Sequence, residues 1–422
     1  MLTDAYRYRS HRLLLSVCII FVVGYLTIPR SAVHAVSTHT RKAKQVIIYE
    51  GEVVGALGHS LTAGGYDPLF VCQFRYRFDE VLRSVLHDPE HKFQSPWYAP
   101  EEETVESRLA RNEVDVLVLN TCTSEIQKVA PLVLGTKALL VCVVHHSGRS
   151  AYYDIKPHIM ELVKTRQIGF LTLGEHVRDR LHGEILQWAE ADRESGWLEM
   201  PLDSFDYPAR DKHSSRMFPS AAAIQGNIEP GRRKYETIFE ELLAKMTANP
   251  AFWGWRLDSS LKKFVSLGEE ASPFYLHLLG QINPNSPITI PTELEDVIQI
   301  HSQLEYPQFY DDIIIPAFRH NGPYEDTASS SLAAALIARV PILVTERHLA
   351  SYQYLLKPAI IEHSVVESEM DAIERLRRKS VQDGKSSYGA RAKDWAEMHR
   401  ALDARNSAMW EKMIMTRQSG PK

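Results

Sequence analysis

Three runs of continuous apolar, largely β-branched residues constrain this chain most: VDVLVLN at 114–120, ALLVCVV at 138–144 and IGFLTLG at 168–174. Such runs need both faces of a strand covered, and a parallel sheet with helices on either side provides that. QVIIYEG (45–51) and PLFVCQF (68–74) read as earlier strands, and residues 100–111, acidic at their start, as a helix whose dipole suits those acids. A second series follows: AAAIQG (221–226), KFVSLG (263–268), ITIP (288–291), DIIIPAF (312–318), VPILVT (340–345) and PAIIEH (358–363). Helical stretches at 235–246 and 329–339 lie between these strands. No repeat of solenoid length occurs. Two successive open α/β units predict two Rossmann-like domains with a cleft between them.

The division expected is residues 45–205 for the first domain and 206–369 for the second, with a helical segment at 370–422. Pro, Ser and charge gather in SFDYPARDKHSSRMFPS, 204–220, where the boundary falls. Trp395, Met398 and Trp410 give the last segment apolar anchors with which to pack back on the first domain. A net charge of −5 excludes a general nucleic-acid binder, which needs a basic surface. Four cysteines in 422 residues are no disulfide framework, and no C-x-x-C occurs. Cys72, Cys122 and Cys142 read as buried, inert thiols.

The N-terminus carries a targeting segment. Residues 13–28, LLLSVCIIFVVGYLTI, are uncharged and follow Arg7, Arg9 and Arg12. Their length is short of the roughly 20 residues of an ordinary span and suits a thin bilayer of the early secretory pathway. Upstream positive charge leaves residues 1–12 cytosolic, with 29–44 a stem and the rest luminal. The alternative is a signal peptide cleaved after Ala35, in the context Val33-His34-Ala35.

Three constellations carry possible chemistry. His145, His146 and Ser147 stand at the carboxyl end of ALLVCVV, where open α/β folds bind ligands; His145 is the candidate for acid–base work. In AAAIQGNIEPGRRKYETIF, 221–239, a strand ends in Gln225-Gly226, a loop carries Arg232-Arg233, and a helix follows. That order places backbone N–H groups and guanidinium forks where a diphosphate could sit. In RHNGPYEDTASSSLAAALIARVPILVT, 319–345, Glu325 and Asp326 precede Ser329, Ser330 and Ser331, where a helix begins and offers its N–H groups to an anion. Gly-x-Ser-x-Gly, Walker A and Gly-x-Gly-x-x-Gly motifs are absent, and no metal-ligand spacing stands out.

Over residues 45–400 the layout resembles that of GT-B glycosyltransferases, with retaining family-four and related members, including fungal ones, the nearest. Gly226 matches the family's strand-ending glycine, and Arg232 stands at the position of the lysine six residues on; Asn227 replaces an arginine. VCVVHH is similar to the first-domain strand ending in histidine, which gives that role to His145. Counted back from Pro341, Asp326 takes the place of the first acid of the late motif and Ala334 that of the second, while Arg339 occupies a glycine position. The resemblance implies a luminal, Golgi or endoplasmic reticulum enzyme moving sugar from a nucleotide-diphosphate sugar to a glycan or glycoconjugate acceptor, with no obligatory metal or other cofactor. The loss of the second acid keeps a non-catalytic glycan- or partner-binding protein of the same fold in view, and a sugar-epimerase-like enzyme beside it.

Overall fold

The structure, a computed structural model, describes residues 45–49, 54–71, 104–120, 122–148, 155–194, 196–206, 219–301, 313–383 and 392–415. The targeting segment at 13–28 lies outside them, and no helix among the described residues is long and apolar enough to cross a membrane. Strands β1 (Gln45–Tyr49), β2 (Asp67–Val71), β3 (Val116–Leu119), β4 (Leu139–Val144), β5 (Ile168–Thr172) and β6 (Leu202–Ser204) form one sheet. Its order is β2-β1-β3-β4-β5-β6, and every pair is parallel. Every residue of β3, β4 and β5 is buried, as their unbroken apolar composition requires. Helices α1 (Val54–Ala63), α2 (Val105–Ala110), α3 (Cys122–Val133), α4 (Lys156–Lys164), α5 (Glu175–Asp192) and α6 (Gly196–Glu199) lie along the connections. The acid-led helix begins only at Val105, where Thr104 caps it by accepting the Ser107 N–H at 3.2 Å.

The second sheet contains β7 (Ala221–Gln225), β10 (Tyr275–Leu279), β11 (Ile298–His301), β12 (Ile313–Ile314), β13 (Ile342–Val344) and β14 (Ile360–Glu362), in the parallel order β11-β10-β7-β12-β13-β14. Numbered along the chain, that is the 3-2-1-4-5-6 order of a dinucleotide-binding fold. Two sequence expectations fail within it. KFVS is β9 (Lys263–Ser266), paired antiparallel with β8 (Trp255–Asp258) in a side hairpin, and ITIP is no strand. Their places are taken by β10 and β11, which alternate: Leu276 and Leu278 are buried while Tyr275 and His277 are half-exposed. Strands toward the rim of a sheet have one face covered less completely, so an unbroken apolar run is not required of them.

Helices α7 (Tyr235–Ala248), α8 (Gly322–Glu325), α9 (Ser330–Ile337), α10 (Glu346–Ser351), α11 (Glu369–Asp383) and α12 (Ala392–Met415) complete the α-helices among the described residues. Both sheets belong to one compact unit, Ala43–Lys422, and share a core. One cluster of buried side chains joins Val118, Val141 and Leu171 of the first sheet to Ala223 and Ile314 of the second, and to Trp395, Met398 and Trp410 of α12. Trp410 donates its Nε1–H to Ser60 Oγ of α1 at 2.9 Å, so the terminal helix packs back on the first domain.

The cysteine expectation is corrected. Cys122 and Cys142 form a disulfide, with Cα atoms 5.1 Å apart. Cys142 lies in register with Leu119 across β3 and β4, and Cys122 opens α3 three residues after Leu119. Topology therefore brings two buried thiols together that are twenty residues apart in the chain. Cys18 and Cys72 lie outside the described residues.

Candidate active-site crevice

The order of the second sheet reverses at β7, which has β10 on one side and β12 on the other. Chains leaving such neighbours at their carboxyl ends diverge and open a crevice. β7 ends in Gln225 and Gly226, and Gly226 has φ 123°, a conformation L-residues avoid. A Cβ there would meet Nη2 of Arg233 at 3.1 Å. The neighbouring Gly280 is required by close approach: its Cβ would stand 2.0 Å from the Gly226 carbonyl oxygen.

The following loop is stapled to the end of β12. Arg233 and Phe318 form an antiparallel bridge, Lys234 N–H donates to Ala317 O at 2.9 Å, and Arg319 N–H donates to Arg232 O at 3.1 Å. That pairing turns Arg233 inward. Its Nη2 donates to Gln225 O at 3.1 Å and to Ser331 Oγ at 2.8 Å, while the guanidinium lies over the Phe318 ring, 4.9 Å from its centre. The Ser331 hydroxyl donates in turn to Gln225 O at 2.8 Å. Burial lowers the pKa of Arg233, and no described carboxylate pairs with it; Tyr235, Tyr352 and Tyr324 are its phenolic neighbours. Burial holds Tyr235 and Tyr324 at about 12, so both stay neutral. The crevice thus contains a half-buried cation without a carboxylate counter-charge among the described residues.

Arg232, at the expected cationic position, instead turns outward. Its side chain is 60% exposed and pairs with Glu229 at 3.2 Å. Of the serines, Ser329 is the buried N-cap of α9 without a side-chain cap bond, Ser330 is exposed, and Ser331 is buried against Arg233. Glu325 is exposed and faces Arg347 at 3.7 Å. Ala334 lies within α9 and packs on the core, so no carboxylate occupies the second acid position. Arg339 has φ 53°, the left-handed region that favours glycine.

The first domain meets this loop at the end of β4. His145 O accepts the Ala328 N–H at 2.8 Å, Ser147 N–H donates to Asp326 O at 2.8 Å, and His146 and Thr327 form an antiparallel bridge. Asp326 accepts from Thr327 Oγ1 at 2.8 Å and stands 3.6 Å from His146 Nε2. The His145 ring donates from Nε2 to Asn120 O at 2.8 Å. His145 and Asp326 are therefore brought to one seam, and residues 326–331 carry it on to Arg233 through Ser331. His176, at the start of α5, contacts the same loop, with Nδ1 2.9 Å from Ser351 O and Nε2 3.2 Å from Thr327 O.

Sequence reasoning missed three groups here. Asn120 closes β3 beside the reversal of the first sheet, is 1% exposed, and its Oδ1 has no hydrogen-bond partner. Gln225 Oε1 and Tyr235 Oη are likewise buried without partners. Asn120 and Gln225 stand at strand ends and Tyr235 opens α7, and each offers a polar atom that water or a ligand can satisfy. The third group is aromatic: Phe318, Tyr324 and His348 stack in a cluster, their ring centres 5.0–5.6 Å apart. His348 is held neutral, its pKa lowered to about 3 by burial. Thr345 N–H donates to its Nδ1 at 3.1 Å, which leaves Nε2–H to donate to the Tyr324 oxygen at 3.1 Å.

No protein-family model matches the chain, and no curated protein matches it. Among solved structures, a UDP-N-acetylglucosamine 2-epimerase aligns over 90% of this chain and 99% of its own, at 11% identity and TM-score 0.41. MurG of Acinetobacter baumannii aligns over 89% and 99% respectively, at 10% identity and TM-score 0.32. The glycosyltransferase SnogD of Streptomyces nogalater aligns over 89% and 100%, at 13% identity and TM-score 0.34. Likeness at this level decides no chemistry.

Proposed function

We propose that this chain is a GT-B-type glycosyltransferase that uses a nucleotide-diphosphate sugar. The observation that carries the reading is Arg233: a half-buried, largely desolvated guanidinium at the sheet reversal, beside a left-handed glycine, with no carboxylate partner among the described residues. Partial desolvation of a charge without a counter-ion is unfavourable, and an anionic ligand would relieve part of that cost. Arg233 and the free N–H groups at the start of α9 would hold the diphosphate and stabilise the charge that develops as it departs. His145, on the first-domain side of the seam, would face the acceptor, with Asp326 opposite. The acceptor is a glycan or glycoconjugate, and residues 13–28 anchor the enzyme in an endoplasmic reticulum or Golgi membrane with its domains luminal. The Cys122–Cys142 bond supports an oxidising compartment.

Thermal stabilisation of the full chain by a panel of nucleoside diphosphates and nucleotide sugars tests the reading, since a ligand that binds only the folded state raises its stability. Arg233→Ala should lose about 1.5–3 kcal/mol of nucleotide interaction, the worth of a charge-assisted hydrogen bond. Arg232→Ala should change it little. A folded Arg233→Ala variant with wild-type nucleotide affinity would sink the proposal. Ala334, in place of a carboxylate, favours a second reading: a protein of the same fold that binds its ligand without turning it over. Nucleotide binding without sugar transfer to any acceptor glycan would select that reading. Carbonate extraction checks the anchor; release of a soluble chain beginning at Val36 would exclude it.

A further inference from the structure

Away from the crevice, His59 of α1 and His399 and Asp403 of α12 converge, each offering one ligand atom, all within 4.8 Å of one another. We infer that these three side chains form a site for a divalent transition-metal ion of the zinc class, clipping the terminal helix to the first domain.

The geometry is close to what such an ion imposes. Bonds of roughly 2.0–2.1 Å in a tetrahedron set neighbouring donor atoms about 3.4 Å apart. His59 Nε2 already stands 3.3 Å from Asp403 Oδ1. The rings of His59 and His399 are stacked, at 13° with centres 5.6 Å apart, so one ring must rotate for both in-plane nitrogen lone pairs to reach one ion. Separations that now lie within 4.8 Å close by rotation of side chains alone. His399 and Asp403 are four residues apart and so share one face of α12. Trp410, further along the helix, is fixed to Ser60, the residue after His59. The backbone on both sides is therefore held in place before any ion arrives. His59 and Asp403 are 15% and 25% exposed at their side chains, which lets an ion reach them.

Two imidazoles and one carboxylate select the ion's class. Imidazole suits zinc and its first-row neighbours, whereas magnesium and calcium take oxygen ligands. Three protein ligands leave a fourth position for water. The sequence gives no hint of the site because its members come from helices about 340 residues apart.

The test uses the full chain, stripped with chelator and titrated with zinc chloride, and in parallel with cobalt(II) and magnesium chlorides. One equivalent of zinc should bind and raise the unfolding midpoint by about 3–5 °C. Cobalt(II) should develop the visible absorption of a tetrahedral site, and magnesium should do nothing. His399→Ala and the nearly isosteric Asp403→Asn, both checked for native circular dichroism, should weaken zinc binding at least tenfold. Absence of zinc binding by the wild type would overturn the proposal. So would wild-type zinc affinity in a folded Asp403→Asn or His399→Ala chain, since the ion would then lie elsewhere.

Discussion

Gly226 and Arg233 depend on each other. A side chain at Gly226 is strained by φ 123° and pressed against Arg233 Nη2 at 3.1 Å, so Gly226→Ala should cost about 1–3 kcal/mol in urea unfolding and displace the guanidinium. Gly231→Ala, in the same loop with nothing within 4 Å of the new Cβ, is the control and should be near neutral. Equal unfolding midpoints for the two variants would refute the role given to Gly226. The glycine and the arginine pair were legible as a phosphate-type loop. Which arginine turns inward was not, because that depends on the Arg233–Phe318 bridge, a contact between residues 85 positions apart in the chain. Asn120 was illegible for another reason. An asparagine after an apolar run looks like an ordinary strand end, and only its burial without a partner for Oδ1 sets it apart.

Among elements, legibility followed burial on two faces. β3, β4 and β5, covered on both sides, announce themselves as unbroken apolar runs, whereas β10 and β11 alternate and read less like strands than KFVS and ITIP do. The Cys122–Cys142 bond belongs to this scale too, because it ties the start of α3 to the middle of β4. No spacing rule reveals it; the pairing appears only once β3 and β4 are neighbours in register. Cross-linking a loop of this length removes unfolded-state freedom worth about 3 kcal/mol in the chain-entropy account. The double variant Cys122→Ala, Cys142→Ala should therefore be less stable by about 2–4 kcal/mol, and dithiothreitol should lower the wild-type midpoint without affecting the variant. An unfolding curve of the wild type that ignores reductant would count against the bond.

At the scale of the molecule, α12 closes the structure by returning to the first domain, and its seam contains a buried acid. Asp206 is 3% exposed; Asn406 Oδ1 accepts its N–H at 3.0 Å, and Arg405 Nε reaches its carboxylate at 2.9 Å. Burial raises the Asp206 pKa to about 7; Arg405 opposes the shift, while Glu175 and Asp203 add to it. In the unfolded chain the same group titrates near 4. Between those values the folded chain keeps a proton that the unfolded chain has released. Fewer protons on the unfolded state mean that stability falls as pH rises through the window, by up to about 1.4 kcal/mol per pH unit, and levels off above about 7. Asp206→Asn removes this titration and leaves Arg405, 46% exposed at its side chain, to Glu175 at 3.7 Å and to water. Relative to wild type, the variant should therefore gain stability steadily from pH 5 to pH 7 in urea midpoints. The difference between variant and wild type isolates Asp206 from every group the two chains share. A difference that does not change with pH would show that the carboxylate is ionised throughout, and that Arg405 outweighs burial at this seam.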